Sequence, residues 1–396
     1  MKVLKGISGG LVVFLFLQLF MLPMQPASAN GDPPGLSAEA AALIDVASGR
    51  VLYEKNGDKK MRIASLTKTL TAIVAIESAN LKDIVTVPKE AVGVEGSSIY
   101  LKRGEKLTLE ELLYGLMLRS GNDAATAIAI HVGGSVEGFV MMMNEKASLL
   151  GMTHSNFMNP HGLDDSNMHY STANDMVRLS AYALKNPVFR EIVSTKVKNI
   201  SWEGENWERR LQNKNKLLHL YKGADGVKTG YTKLAKRCLA SSATRDGRQL
   251  AVITLNAPDD WNDSMALLDW GFQTFQPVTI LNKGDIIDTE AVRNNPKLNL
   301  QVTAMQGFQY PLKKDETELL HSTVRLFEPK LDRKLVGQHA GFIEIYIDTN
   351  LIGRIPVTIS QKVDSNTSFV SVNHTMQIHP FWKQVWLLMI GGLWDA

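Results

Sequence analysis

Ser65 and Lys68, in the stretch IASLTKTL, stand three residues apart where the sequence takes up a helical pattern. On a helix such a pair shares a face, with Cβ atoms about 5–6 Å apart. A serine hydroxyl is a weak nucleophile until a base takes its proton. Lysine serves as that base only when neutral, which needs burial or a neighbouring cation. The run LTKTLTAIVAI is apolar enough to bury the amine, and a second positive charge nearby would add to the effect. One S-x-x-K is weak evidence by itself, because its residue types are common. Two further clusters add weight. Ser120-Gly121-Asn122 offers a hydroxyl and an amide at a helix break, and Lys228-Thr229-Gly230 lies in GADGVKTGYT, where a glycine lets a substrate backbone come close.

These residues need elements to hold them. After Pro33-Pro34, AAALIDVASGRVLYEKN reads as a β-hairpin turned at Ala47-Ser48-Gly49. From Ser65 the pattern is helical, with Thr69, Ile73 and Ile76 in phase. Thr108, with Glu111 three residues on, forms a capping box ahead of LLYGLML, and that helix stops at Arg119-Ser120-Gly121-Asn122. DAATAIAIHV and SVEGFVMMMNEKASLLG read as further helices, with Met141, Met142 and Met143 as core filler. RCLASSAT and QLAVITLNA bracket Arg245-Asp246-Gly247-Arg248 as a second hairpin, and MALLDWGFQTF closes the region as a helix. The order implies an α+β fold, helices packed on an antiparallel sheet. From Val278 the pattern changes to short strands without helical periodicity, a smaller all-β domain with no cluster suited to chemistry.

At 396 residues the chain has room for two domains, and its net charge of +3 gives no single-sign field of the kind nucleic acid selects. Residues 1–29 have the form of a secretory signal: Lys2 and Lys5, the apolar run Leu11 to Leu22, then Ala27-Ser28-Ala29. Cys238 is the single cysteine, so it forms no internal disulfide, and RCLASSAT marks it as core. The end, HPFWKQVWLLMIGGLWDA, spans about 21 Å as a helix, short of the roughly 30 Å hydrocarbon core. Trp382, Trp386, Trp394 and Lys383 suit a helix lying on a membrane surface. The expected layout is 1–29 signal, 30–277 main domain, 278–378 β-rich domain and 379–396 amphipathic anchor.

SLTK, SGN and KTG in this order match the set found in penicillin-interacting serine enzymes. Together with NPHGLDDSNMHYSTANDM and the LLDWGF helix, they resemble the secreted D-alanyl-D-alanine carboxypeptidases, the low-molecular-mass penicillin-binding proteins. The resemblance covers nearly the whole chain. It implies a penicillin-binding/β-lactamase-like fold, no cofactor, and peptidoglycan stem peptides and β-lactams as ligands. The setting it implies is outside the cytoplasm, at the outer membrane face or in the wall; a spore-cortex role is one option within that. Ser65 would be acylated with Lys68 as general base. Ser120 would relay a proton to the leaving D-alanine, and Asn122 would hold the substrate amide. Lys228 would help keep Lys68 neutral, Thr229 would bind the terminal carboxylate, and Gly230 would let the substrate lie against the strand. The backbone N–H groups of Ser65 and Tyr231 would form the oxyanion hole.

His161 and His169 read as loop-shaping residues, since this mechanism needs no histidine. Asp164, Asp165 and Asp175 lack metal-ligand spacing, so no metal is expected. In two places the chain departs from its relatives. Many carry an arginine before the LLxWGF helix, facing the substrate carboxylate; here Pro258-Asp259-Asp260-Trp261-Asn262 stands there, and acids would repel a carboxylate. Lys236-Arg237 occupies a place where glycine is usual, and would crowd that edge. A class A β-lactamase would need an E-x-x-x-N loop between Asn122 and Lys228, which the sequence lacks, and Asp where Gly121 stands.

Overall fold

Strand β1 (Ala40–Asp45) and strand β2 (Val51–Lys55) form the expected hairpin. Its turn is closed by the Asp45 carboxylate, which accepts from the Ser48 amide and hydroxyl, and by Gly49 at φ +73°. The structure, a computed structural model, describes residues 31–328 and 331–362. The segments expected as signal (1–29) and anchor (379–396) lie outside the described residues.

Helix α1 (Lys68–Ser78) follows a single 3-10 turn, Ala64–Thr67, that carries Ser65. The helical pattern read from Ser65 therefore begins one tight turn later as an α-helix. Every residue from Lys68 to Ala75 is buried, which is why the stretch is apolar nearly all round. Around it pack α2 (Leu109–Leu118), α3 (Asn122–Gly133), α4 (Val136–Leu149), α5 (Ala173–Leu184) and α6 (Pro187–Ser194). The Thr108–Glu111 capping box is formed in full. Gly134, at φ +73°, ends α3 in the left-handed conformation, and the Ser135 hydroxyl caps α4. Only part of the methionine trio is core. Met143 is fully buried, whereas Met141 is 74% exposed, because consecutive residues on a helix cannot all face one side.

The central sheet is antiparallel in the order β2-β1-β5-β4-β3, where β3 is Ala224–Thr232, β4 Lys236–Arg245 and β5 Arg248–Leu255. Strand β1 is buried on both faces. Ala40, Ala42 and Ile44 join the core of the helical block, while Leu43 meets Gly271 of helix α7 (Asp260–Thr274) on the other face. The K-T-G segment lies within strand β3, at the sheet edge. Two small two-stranded sheets, Ile84–Thr86 with Lys106–Thr108 and Val197–Ile200 with Arg209–Gln212, complete this part.

The chain divides into two compact units between Thr274 and Phe275. The second holds β6 (Gln276–Leu281), β7 (Ile286–Ile287), β8 (Leu300–Ala304), β9 (Phe308–Leu312), β10 (Leu320–Leu326), β11 (His339–Ile347) and β12 (Asn350–Gln361). They form a five-stranded sheet in the order β7-β8-β12-β11-β10 and a pair β6-β9, over a core that includes Val302, Ile343, Ile345 and Val357. Of LNKGDIIDTEAVRN, expected as strand, Leu281 ends β6, Ile286 and Ile287 form β7, and one helical turn follows, Glu290–Arg293, capped by the Thr289 hydroxyl.

Candidate active site

Three separate stretches converge on Lys68, which is fully buried. Its Nζ lies 3.1 Å from Ser65 Oγ, 2.7 Å from Asn122 Oδ1 and 2.6 Å from the His161 carbonyl oxygen. The Asn122 amide is oriented by its other end, since Nδ2 donates to the Glu95 carbonyl at 2.5 Å. Burial drives the Lys68 pKa well below its ordinary value; the positive charges of Lys228 and Lys214 add to the depression, and Asp123 opposes it. Lys228, also buried, donates to the Thr229 carbonyl at 2.8 Å. Burial, with Lys214 second, lowers its pKa to about 7.

The turn that carries Ser65 is strained and then braced. Ala64 sits at φ +48° and Ser120 at φ +63°, a region that costs a non-glycine residue about 1–2 kcal/mol. Such conformations persist where the surroundings over-determine them. At Ala64 the surroundings are specific. The Thr67 hydroxyl donates to the Ala64 carbonyl at 2.9 Å and meets His169 Nε2 at 2.8 Å. The Met158 amide donates to His169 Nδ1 at 3.1 Å. Nδ1 is therefore unprotonated, and Nε2–H is the donor to Thr67, so the relay runs one way from His169 through Thr67 to Ala64. Gly162, at φ +85°, lies so close that a Cβ there would stand 2.0 Å from the Ala64 oxygen. Burial lowers the His169 pKa to about 4 and the His161 pKa to about 3, the latter with help from Lys68. Both rings are neutral and weakly basic at pH 7, consistent with holding a loop rather than taking a proton.

Strand β3 runs beside this turn. A Cβ on Gly230 would stand 3.2 Å from the Ser65 amide nitrogen and 3.2 Å from the Ile63 oxygen, so only a glycine fits without displacement. The buried Asn215 braces β3 by donating to the Gly226 carbonyl at 2.8 Å. Lys228 and Gly230 share the strand face toward the turn; Thr229 and the 65%-exposed Tyr231 point to the other. Ser120 lies between α2 and α3, 5% exposed.

Ser65, Lys68 and Asn122 are thus joined by contacts of 3.1 Å or less, Gly230 lies against the Ser65 amide with no room for a side chain, and Lys228 acts on Lys68 through its charge. The sequence did not mark Lys214, whose Nζ donates to Ser97 Oγ at 2.8 Å, or the Thr67–His169 relay. Asp123 carried a readable signal, an acid in the first turn of a helix. It accepts from the Ile99 and Leu101 amides and thereby holds the loop whose Ser97 carbonyl receives the Asn122 amide. The arginine-free loop is also resolved. Asp260 is buried and paired with Arg237, while Asp259 accepts from Asn262 at 2.9 and 3.0 Å. Lys236 takes φ +59°, the conformation that a glycine adopts freely, which is a physical reason for glycine to be usual at this place.

An antiparallel sheet flanked by helices, with a buried lysine on a serine at the head of the central helix, defines a serine hydrolase of the penicillin-binding fold. The chain belongs to the D-alanyl-D-alanine carboxypeptidase family, peptidase S11, which matches residues 27–259; residues 275–365 match the C-terminal domain of penicillin-binding protein 5. It is 33% identical to the D-alanyl-D-alanine carboxypeptidase DacC of Escherichia coli, over 93% of this chain and 94% of that protein. It is 32% identical to DacF of Bacillus subtilis, over 86% and 89%. Penicillin-binding protein 5 of Haemophilus influenzae superposes with a TM-score of 0.69 at 27% identity, covering 83% of this chain and 98% of that one. The protein is a serine-type D-Ala-D-Ala carboxypeptidase, a hydrolase of the penicillin-binding family.

Proposed function

We propose that the protein removes the terminal D-alanine from peptidoglycan stem peptides through an acyl-enzyme on Ser65, and that β-lactams acylate the same serine. The observation that carries this is the set of acceptors around Lys68 Nζ. A charged ammonium has three N–H groups for three acceptors, but the neutral amine has two N–H groups and a lone pair. The Asn122 oxygen and the His161 carbonyl can only accept, so the lone pair falls to the one neighbour that can give a proton, the Ser65 hydroxyl.

The steps follow from that assignment. Ser65 Oγ attacks the carbonyl carbon of the penultimate D-alanine as its proton passes to Lys68 Nζ. The oxyanion that forms is received by the Ser65 and Tyr231 backbone N–H groups. As the intermediate collapses, the C–N bond breaks and the leaving amine takes a proton, delivered from Lys68 through Ser120. Water then attacks the ester, giving its proton to Lys68, and Ser65 departs with a proton returned to it. Asn122 and the edge of β3 hold the substrate backbone, and Thr229 meets its carboxylate. The substrate lies outside the cytoplasm, which agrees with a signal at 1–29 and a surface helix at 379–396. The role is cell-wall maturation.

Ser65→Ala tests the assignment. Covalent labelling by a fluorescent penicillin and release of D-alanine from a D-Ala-D-Ala peptide should both disappear; labelling retained by the variant sinks it. The β-lactam adduct on the wild type should be long-lived, with little penicillin turnover in a spectrophotometric assay.

A further inference from the structure

We propose that Arg237 is the cation that receives the substrate's terminal carboxylate, beside the Thr229 hydroxyl, in place of the arginine absent from the Pro258–Asn262 loop. The inference rests on the carboxypeptidase reading of Ser65 and Lys68.

The position of the carboxylate follows from the chemistry. In a D-alanyl-D-alanine terminus it is three bonds beyond the carbonyl carbon that Ser65 attacks, hence within about 4 Å of it. Gly230 is the strand residue set against the Ser65 amide, so the carboxylate falls by its neighbours, Thr229 and Tyr231. Arg237 pairs directly with Tyr231, and Leu239 with Thr229. Side chains alternate along each strand, so Arg237 lies on the same sheet face as Thr229. It is diagonal to Thr229, at a backbone separation of about 7–8 Å that a long side chain spans.

Its guanidinium is held in place. Nε donates to Asp260 Oδ1 at 3.1 Å, and Nη2 donates to the same oxygen. The Trp261 ring lies 5.8 Å from the guanidinium carbon. A guanidinium has five N–H donors, so this anchoring uses two and leaves an edge for a ligand. Asp260 is 3% exposed, so its charge meets Arg237 and not a ligand. The other two lysines near the site are engaged elsewhere: Lys228 on the Thr229 carbonyl and Lys214 on Ser97. Asp260, one of the two acids that looked hostile to a carboxylate, thus serves with Trp261 as the mount for the arginine that binds one.

The test compares a peptide ending in D-Ala-D-Ala with the same peptide ending in D-Ala-D-alaninamide. The wild type should favour the free acid in kcat/KM by roughly 10- to 100-fold, the range for a charge-assisted contact. Arg237→Ala should lose that factor on the acid while changing the amide by less than about threefold, and Arg237→Lys should recover part of it. A purely structural role for Arg237 would lower both substrates together. Should Arg237→Ala misfold, as judged by its melting curve, Arg237→Gln is read by the same ratio. An acid-to-amide ratio near one in the wild type, or a ratio unmoved in a folded variant, overturns the proposal. Penicillin labelling of Ser65 keeps the two readings apart. Wild-type labelling and D-alanine release with an unmoved ratio remove Arg237 alone; their absence removes the acyl-enzyme reading itself.

Discussion

A methyl group at position 230 would stand 3.2 Å from the Ser65 amide nitrogen, 3.2 Å from the Ile63 oxygen and 3.3 Å from Ala64 Cβ. An oxyanion bound by the Ser65 N–H needs its oxygen about 2.7–3.1 Å from that same nitrogen. A methyl group at that distance crowds the approach to the Ser65 N–H, so Gly230→Ala should disable one of the two proposed oxyanion donors. Loss of one such donor costs about 10²–10³ in rate. The cost in stability is smaller. Gly230 does not have a positive φ, so alanine meets no backbone penalty, and the three tight contacts amount to overpacking of about 1 kcal/mol. A change of that size lowers the melting temperature by about 2–4 °C in a domain of this size. The assay is the rate of acylation by a fluorescent penicillin, with D-alanine release and a melting curve on the same preparation. A variant that melts within a few degrees of the wild type and still acylates within threefold of its rate would refute the placement of β3 against the Ser65 amide.

Lys228→Ala removes a positive charge that helps depress the Lys68 pKa and opens a buried volume to water, and both effects raise that pKa. Lys68 is a base only when neutral, so the acid limb of the acylation–pH profile should move to higher pH; a limb that stays put or moves down contradicts the electrostatic role. The displacement should be largest below pH 7, where Lys228, with its pKa of about 7, is charged. His169 makes stability fall on the acid side. Its folded pKa of about 4 lies below the ordinary 6.5, so its contribution is complete above pH 6.5 and disappears as pH falls toward 4. The limit is about 3 kcal/mol by linkage. His169→Gln should flatten the melting temperature profile between pH 7 and 4, and parallel profiles would rule out this role.

Several elements were legible because a local rule announced them. The β1–β2 and β4–β5 hairpins had turn residues between apolar runs, and Thr108 with Glu111 gave the start of α2. Strand β3 was not legible: ADGVKTGYT contains two glycines and no clean alternation. It is a strand because its main chain pairs with β4 from Ala224 to Thr232, and tertiary pairing overrides weak propensity. The short turn Glu290–Arg293 shows the reverse error, since an apolar scatter within IIDTEAVRN reads as strand until Thr289 is seen to cap it.

The site divides along a different line. Ser65, Lys68, Asn122 and Lys228 were found because their side-chain chemistry is what the site uses, and no other residue type supplies it. The groups that orient them were missed because many of those are main chain. Lys68 donates to the carbonyl of His161, and Asn122 donates to the carbonyl of Glu95; almost any residue at either position brings a carbonyl, so the letter there carries no signal. The letters that do matter in this outer ring are those that shape the backbone: Gly162, which has no room for a Cβ beside the Ala64 oxygen, and Thr67 with His169, which together hold Ala64 in a conformation alanine would otherwise avoid. A motif therefore records the atoms that do the chemistry, while the acceptors that leave the Lys68 lone pair to the Ser65 hydroxyl come from Asn122 and His161, 54 and 93 positions further along the chain.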